Sequence, residues 1–245
     1  MRKYGFTLIE LIVSLCILTI LATTLVCAVR SGVEQAKDAR CKLNLHALAM
    51  AAIEYANDHM GTLPWAMKSV NECWDFKTDG GDYEPGILYD YTGSSSILMC
   101  PSCAGKKDNW AGGGMTGYNY NSSYAGKVKG ERGKRECPSD IDRFPDTSKL
   151  ALFGDGGYGE EPEKMNKFMR APKSDKEFDS SSGSIRRGGT QSFRHRGHTN
   201  VAFADGHVEG ICQSYKQDGS EGFVAGKTGF ISPDNSLYSG NLNHD

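Results

Sequence analysis

The chain has 245 residues, with 28 Lys and Arg residues against 30 Asp and Glu residues, for a formal net charge of −2. This balance excludes a strongly basic nucleic-acid-binding domain. The chain also lacks the G-x-S-x-G, H-E-x-x-H and phosphate-loop motifs, so we do not expect an enzyme. The length fits one folded domain in addition to a membrane segment.

The N-terminal region contains an apolar run over residues 6–29 in which Glu10 is the one charged residue. A helix of this length reaches about 36 Å and can span a bilayer. Arg2 and Lys3 precede the run, and positive residues stay on the cytoplasmic side, so the rest of the chain is expected to be exported. A carboxylate inside a membrane costs on the order of a few kcal/mol, which makes Glu10 a functional candidate.

Residues 3–13 read KYGFTLIELIV. This segment closely resembles the class III leader of type IV prepilins and type II secretion pseudopilins. The resemblance implies a leader peptide over 1–5, cleavage between Gly5 and Phe6 by a membrane-embedded prepilin peptidase, and N-methylation of Phe6 by the same enzyme. It also implies an assembly role for Glu10, whose charge would be neutralised in the filament by the Phe6 ammonium of a neighbouring subunit.

The helix is predicted to continue beyond the membrane segment as an exported, amphipathic half over residues 30–60. The apolar residues Val33, Ala36, Leu43, Ala47 and Met50 recur at helical spacing, with charged residues on other faces, and predict an amphipathic helix. Glycine and proline at 61–64 predict the helix end. The whole helix is expected to have about 54 residues, at 1.5 Å of rise per residue.

Residues 61–245 are predicted to form a globular head of short strands and long loops. Apolar segments at 87–89, 150–153, 199–204 and 207–211 are candidate strands, whereas 108–133 and 172–189 are predicted to be surface loops. Asp205-Gly206 predicts a two-residue hairpin turn that places Phe203 opposite Val208. The expected fold is α+β, with the long N-terminal helix packed on a small antiparallel sheet.

A second resemblance lies in the head, where His195 precedes Asp205-Gly206 by nine residues. This spacing is similar to the His-X9-Asp-Gly pattern of a large group of bacterial prepilin-like proteins. The segments at 100–102 (Cys-Pro-Ser), 118–121 (Tyr-Asn-Tyr-Asn) and 153–155 (Phe-Gly-Asp) are also similar to that group. This resemblance supports the predicted fold more than it indicates an activity.

A structural divalent metal is a hypothesis for Asp155, His195, Asp205 and His207. Heads of the major pseudopilins that the chain resembles carry calcium, whereas the histidines favour zinc or another transition metal. The alternative is structural: Asp205 as a turn residue and His195 as a hydrogen-bonding group. No cofactor is required under that alternative.

The cysteines leave two further hypotheses open. Cys16 and Cys27 lie in the apolar run, where thiols are ordinary small apolar groups, and Cys41 lies on the exported helix. Disulfides are expected in an exported head, while a C-x-x-C pair suggests half of a zinc site. The residues considered for either are Cys73, Cys100, Cys103 and Cys137.

These observations predict a structural subunit of a type IV pilus-like or pseudopilus filament. Its expected partners are further copies of itself, the prepilin peptidase and methyltransferase, the inner-membrane assembly platform and the membrane. The protein would be single-pass in the inner membrane and then part of a periplasmic or surface filament. The basic residues Arg186, Arg187, Arg194 and Arg196 are interpreted as solvated surface. The alternative is a tethered exported binding protein or metal-dependent hydrolase that uses the helix as an anchor.

Overall fold

The computed structural model describes residues 5, 7–79, 82–103, 116–130, 134–157, 166–179, 189–216 and 227–242. The first element is helix α1, Leu8–Asp58, with 51 residues. It begins at the N-cap Thr7 and contains no proline. The helix stops where Met60 and Gly61 adopt positive φ angles of 53° and 86°. The predicted helix is confirmed, with an end two residues before the predicted boundary.

Helix α1 has an exposed first part, over residues 8–36, and a second part that packs on the head. Among the described residues it is the one helix long and apolar enough to cross a membrane, with a mean hydropathy of 2.6 over its most apolar window. The packed part buries one face at intervals of three and four residues. Its fully or almost fully buried side chains include Cys41, Leu45, Leu48, Ala52 and Ala56.

The apolar residues that predict the amphipathic half of α1 are not those that pack on the head. Val33, Leu43 and Met50 are 48%, 62% and 45% exposed, and Ala36 is exposed as well. At 100° per residue, Leu43 and Met50 lie roughly opposite the centre of the buried face, whereas Val33 lies about a quarter turn from it. The second part of α1 therefore carries apolar residues on two faces, and the head buries one of them.

The described part of the head contains three sheets. A four-stranded antiparallel meander comprises β1 (Met67–Ser69), β2 (Glu72–Cys73), β3 (Phe76–Asp79) and β4 (Asp82–Pro85). The main sheet has the order β10-β9-β6-β5-β7 and comprises β5 (Tyr118–Asn121), β6 (Ala151–Asp155), β7 (Phe168–Met169), β9 (Thr199–Phe203) and β10 (Val208–Ile211). Strands β8 (Gln191–Ser192) and β11 (Thr228–Gly229) form a two-stranded pair.

Short helices connect these strands. Helix α2 spans Tyr89–Thr92, so the strand predicted over 87–89 is wrong. The 3-10 turns are Ser95–Leu98, Pro101–Cys103, Ile141–Arg143 and Thr147–Lys149. Helix α1 packs against β6, β9, α2 and the first two of these turns. The α+β class is confirmed, although the pairing of β5 with β7 is parallel within an otherwise antiparallel main sheet.

Strand β5 corrects the prediction of a surface loop over 108–133. Its residues are buried, and Tyr120 stacks on Phe153 with ring centroids 4.7 Å apart. Trp74 completes this aromatic core at 5.2 Å from Phe153. The loop predicted over 172–189 is also partly buried, because Phe178 is 1% exposed. Tyrosine and asparagine alternate in β5, which makes the strand appear polar although both of its faces are covered.

The hairpin between β9 and β10 is confirmed, but its turn differs from the predicted one. Val208 pairs with Ala202 rather than Phe203. The backbone N–H of Gly206 donates to the Phe203 carbonyl at 2.9 Å. Gly206 has a φ of 91°, whereas Asp205 is not among the residues with positive φ. This geometry fits a type I turn followed by a left-handed glycine, which adds a residue to the loop.

The two apolar faces of α1 give a stability test. Leu48 is completely buried and Leu43 is 62% exposed, so Leu48→Ala should lower the free energy of unfolding by about 2–5 kcal/mol. Leu43→Ala should change it by about 0.5 kcal/mol or less. Urea unfolding of the full chain in detergent, followed by Trp fluorescence, measures both values. Equal losses would contradict the assignment of the buried face.

Candidate functional site

The first candidate site is the N-terminal turn of α1. Glu10 Oε2 accepts hydrogen bonds from the Thr7 backbone N–H at 2.8 Å and from Thr7 Oγ1 at 2.7 Å. Glu10 N–H in turn donates to Thr7 Oγ1 at 3.4 Å, which completes a capping box. A Cβ added at Gly5 would have no neighbour within 4 Å. Phe6 lies outside the described residues.

The second candidate site is a buried cluster that joins α1 to the head. Cys41 lies on α1, Cys100 precedes a 3-10 turn, Asp155 ends β6 and His195 follows β8. One donor atom from each of the four lies within 4.8 Å of the others. All four residues are 2% exposed or less. These donors are therefore closed off from solvent.

The distances within the cluster are those of direct contacts. Cys41 Sγ lies 2.8 Å from Cys100 Sγ. His195 Nε2 lies 4.0 Å from Cys100 Sγ and 3.4 Å from Asp155 Oδ1. The Nε2 atom of the imidazole thus faces both the thiol and the carboxylate.

Close backbone packing seats the two sulfurs of the Cys100-x-x-Cys103 segment. Cys103 contacts Cys100. A Cβ added at Gly117 would lie 2.9 Å from Cys100 Cβ and 3.0 Å from Cys103 Sγ, and Gly117 has a φ of 74°. Both the φ angle and the close approach require glycine at this position. The segment that leads into β5 can therefore pass directly over the two cysteines.

Asp155 is held in place by groups around the cluster. Arg194 Nη2 donates to Asp155 Oδ1 at 2.8 Å, and the Asn200 backbone N–H donates to Asp155 Oδ2 at 2.7 Å. Arg194 Nη1 also donates to the Gly156 carbonyl at 2.7 Å. The arginine and the backbone thus fix both carboxylate oxygens.

A further carboxylate, Asp38 on α1, faces the other side of His195. Asp38 Oδ1 lies 3.8 Å from His195 Nδ1. It accepts hydrogen bonds from Asn200 Nδ2 at 2.7 Å and from His198 Nε2 at 3.1 Å. Partial burial raises the pKa of Asp38, but the bonds from Asn200, Lys42 and His198 outweigh it and leave the pKa below its ordinary value. Asp38 therefore remains a carboxylate acceptor beside the imidazole.

The groups of the cluster shift one another's pKa values, some upwards and some downwards. Contacts with Cys103 and Cys41, together with the positive charge of Arg194, lower the pKa of the Cys100 thiol. The contact with Cys100 raises the pKa of Cys41. Burial lowers the pKa of His195, but Asp155 and Cys100 more than compensate and raise it to about 9. Chemically, such a set can hold a metal ion or form a disulfide.

The structure divides the four residues predicted as one metal-ligand set. It brings Asp155 and His195 together, but Asp205 and His207 lie in the β9–β10 turn with side chains 37% and 43% exposed. His207 stacks on Phe203 with centroids 4.5 Å apart, and its backbone N–H donates to Asp205 Oδ1 at 3.1 Å. This turn rests on a later part of α1, where His46 Nδ1 contacts the Gly206 carbonyl at 2.7 Å.

The structure also divides the predicted cysteine set. Cys100 and Cys103 are in contact, Cys73 is buried in β2, and Cys137 is exposed. Cys41 is absent from the predicted set, because it lies on the helix and the candidate cysteines were those of the head. The helical spacing of Cys41 from Leu45 and Leu48 is the signal that could have placed it on the buried face.

Arg194 was also misassigned, since its side chain is 9% exposed rather than solvated. Arg186 and Arg187 lie outside the described residues. The Tyr-Asn-Tyr-Asn motif has a structural role: Asn121 Nδ2 donates to the carbonyls of Ala151 at 2.8 Å and Tyr238 at 2.9 Å. The asparagine thus ties β5 to β6 and to the C-terminal segment.

Comparison with protein families shows one similarity, at the N-terminus. Residues 1–26 match the family model described as the prokaryotic N-terminal methylation motif. Comparison with curated proteins and with solved structures gives no match. The motif therefore covers the predicted leader segment, Glu10 and most of the apolar part of α1.

The β9–β10 turn gives a test of Asp205 as a structural residue. Asp205→Asn keeps the Oδ1 acceptor for His207, so the free energy of unfolding should change by about 0.5 kcal/mol or less, with or without a chelator. Gly206→Val should cost about 1–3 kcal/mol, because valine is strained at positive φ. Its Cβ would also lie 3.1 Å from Met50 Sδ. If Asp205→Asn and chelation destabilise the chain equally and without additivity, Asp205 is a metal ligand.

Proposed function

We propose that this chain, a prepilin-type protein with an N-terminal methylation motif and a membrane-anchoring helix, is a structural subunit of a type IV pilus-like or type II secretion pseudopilus filament. The observation that carries the proposal is the motif at residues 1–26, which continues without interruption into the 51-residue helix. Prepilin peptidase would cut after Gly5 and methylate Phe6. The N-terminus would be cytoplasmic and the head exported.

The apolar surface of α1 supports assembly through the helix. Over residues 8–29 its large apolar side chains are 50% to 76% exposed. A surface of this size requires a nonaqueous environment, which lipid provides before assembly. In a filament, packing against the helices of neighbouring subunits would replace the lipid contacts.

The second apolar face of α1 extends this surface beyond the membrane segment. Leu43 is 62% exposed on this face, and Met50, which lies beside the β9–β10 turn, is 45% exposed. Anchoring alone does not require apolar residues here, since this part of the helix lies with the exported head. Neighbouring subunits in a filament would cover them.

Glu10 supports the proposal through its position. It is the one acidic residue in the first turn of α1, and its charge lies among apolar side chains. The hydrogen bonds from Thr7 satisfy the Glu10 carboxylate as an acceptor but supply no opposite charge. After cleavage, the methylated ammonium of Phe6 would supply one, and pairing between subunits would set the axial register.

Gly5→Val tests processing. A peptidase that brings this backbone into its active site tolerates little bulk there, so the variant should accumulate as the unprocessed precursor. The product is identified by mass spectrometry of the membrane fraction. Wild-type protein is expected to begin at a methylated Phe6, and finding the same N-terminus in the variant would contradict the proposed cleavage site.

Glu10→Ala tests assembly separately from processing. Insertion and cleavage should be normal, while the yield of sheared or overexpressed filaments should fall at least tenfold, because the intersubunit charge pair is lost. Ser14→Ala is the matched control, since Ser14 is exposed one turn later and its hydroxyl donates to the Glu10 carbonyl within the helix.

Wild-type filament yield from Glu10→Ala would reject the assembly role of Glu10, and a wild-type chain that forms no filaments would reject the filament role. The helix would then serve as an anchor for an exported binding protein or hydrolase. Failure of Glu10→Ala to be cleaved would instead locate the defect in processing, which the mass measurement distinguishes.

A further inference from the structure

We propose that the buried cluster is a structural zinc site whose ligands are Cys41, Cys100, Asp155 and His195, and that the metal fastens α1 to the head. The set takes two residues from the predicted carboxylate-histidine group and one from the predicted cysteine group. Its fourth member, Cys41, comes from the helix. The site is independent of the N-terminal motif and does not depend on the filament role.

The donor atoms favour zinc over calcium. Two thiolates and an imidazole are ligands of zinc and related transition metals, whereas calcium requires six to eight oxygen ligands. In a tetrahedral zinc site, with bonds of about 2.0–2.3 Å, neighbouring donors are about 3.3–3.8 Å apart. The distances from His195 Nε2, 3.4 Å to Asp155 and 4.0 Å to Cys100, are close to this range. The two sulfurs, 2.8 Å apart, would separate by about 1 Å.

The surroundings of the cluster match those of zinc ligands in proteins. A zinc-bound histidine usually directs its second ring nitrogen towards a carboxylate. His195 directs Nε2 to the cluster and Nδ1 to Asp38, 3.8 Å away. Arg194 holds Asp155. With two thiolates and one carboxylate, the charge of a zinc ion and of Arg194 would leave the buried site neutral, which reduces the cost of burying it.

The position of the cluster indicates a structural rather than a catalytic role. Cys41 and Cys100 are 59 residues apart in sequence, and Asp155 and His195 come from two further segments. A metal bound by all four would close several long loops of the chain. Because all four ligands are buried, the site would be closed and would have no open position for substrate.

The test begins with the metal content of the full chain, purified in detergent without chelator. Wild-type protein should contain one zinc per chain, measured by plasma mass spectrometry. Cys41→Ser and His195→Gln should each retain less than about a tenth of that. Cys137→Ser and Cys212→Ser are matched controls with exposed thiols, and they should retain the full amount. Cobalt substitution should give sulfur-to-cobalt charge-transfer bands in the wild type and lose intensity in Cys41→Ser.

A thiol count on wild-type protein separates zinc from a disulfide without any variant that could misfold. The chain has eight cysteines. Alkylation after denaturation in chelator, without reductant, should modify all eight if zinc holds the cluster. Zinc together with eight modified thiols supports the proposal. Six modified thiols and no metal would show a disulfide and overturn it, as would eight modified thiols with no metal after zinc has been added.

Discussion

The contact between the second part of α1 and the main sheet is the constraint on which the rest of the structure depends. Leu45 and Leu48 are completely buried there. Small residues on the same face, such as Ala52, let β6 and β9 lie close to the helix. Because β6 and β9 are inner strands of the main sheet, displacing the helix would uncover the centre of the head. Burial of the helix face and integrity of the sheet are therefore coupled.

Charged side chains in the interior define how the segments of the head meet. Arg194 pairs with Asp155 at 2.8 Å, and Arg170 pairs with Asp179 at 3.0 Å, both almost without solvent exposure. A buried pair gains little net stability, but loss of one partner leaves an uncompensated charge. These pairs join the ends of strands to segments that lack regular structure. They favour one arrangement of the loops over its alternatives, a role that apolar packing alone performs less selectively.

Local signals account for what the sequence predicts well. The N-terminal motif, the helix end at Gly61 and the position of the β9–β10 hairpin each depend on a few adjacent residues. The packed face of α1 could not be predicted, because leucine and alanine occur on both of its sides and periodicity does not tell which side the head covers. Strand β5 is hidden by its asparagines, which bond to buried carbonyls. The buried cluster takes its four members from four segments of the chain, so only the tertiary structure brings them together.

Because α1 is one continuous helix without proline, it sets the distance and the angle between its two ends. Glu10 and Cys41 are separated by about 47 Å of continuous helix, at 1.5 Å and 100° per residue. An interaction that fixes the depth of Glu10 in the membrane and its rotation about the helix axis therefore also fixes the height of the head and the direction in which it faces. Deleting one residue between them would lower the head by about 1.5 Å and turn it by about 100°. This segment can therefore exchange one apolar, helix-forming residue for another, but a change in its length would move the head.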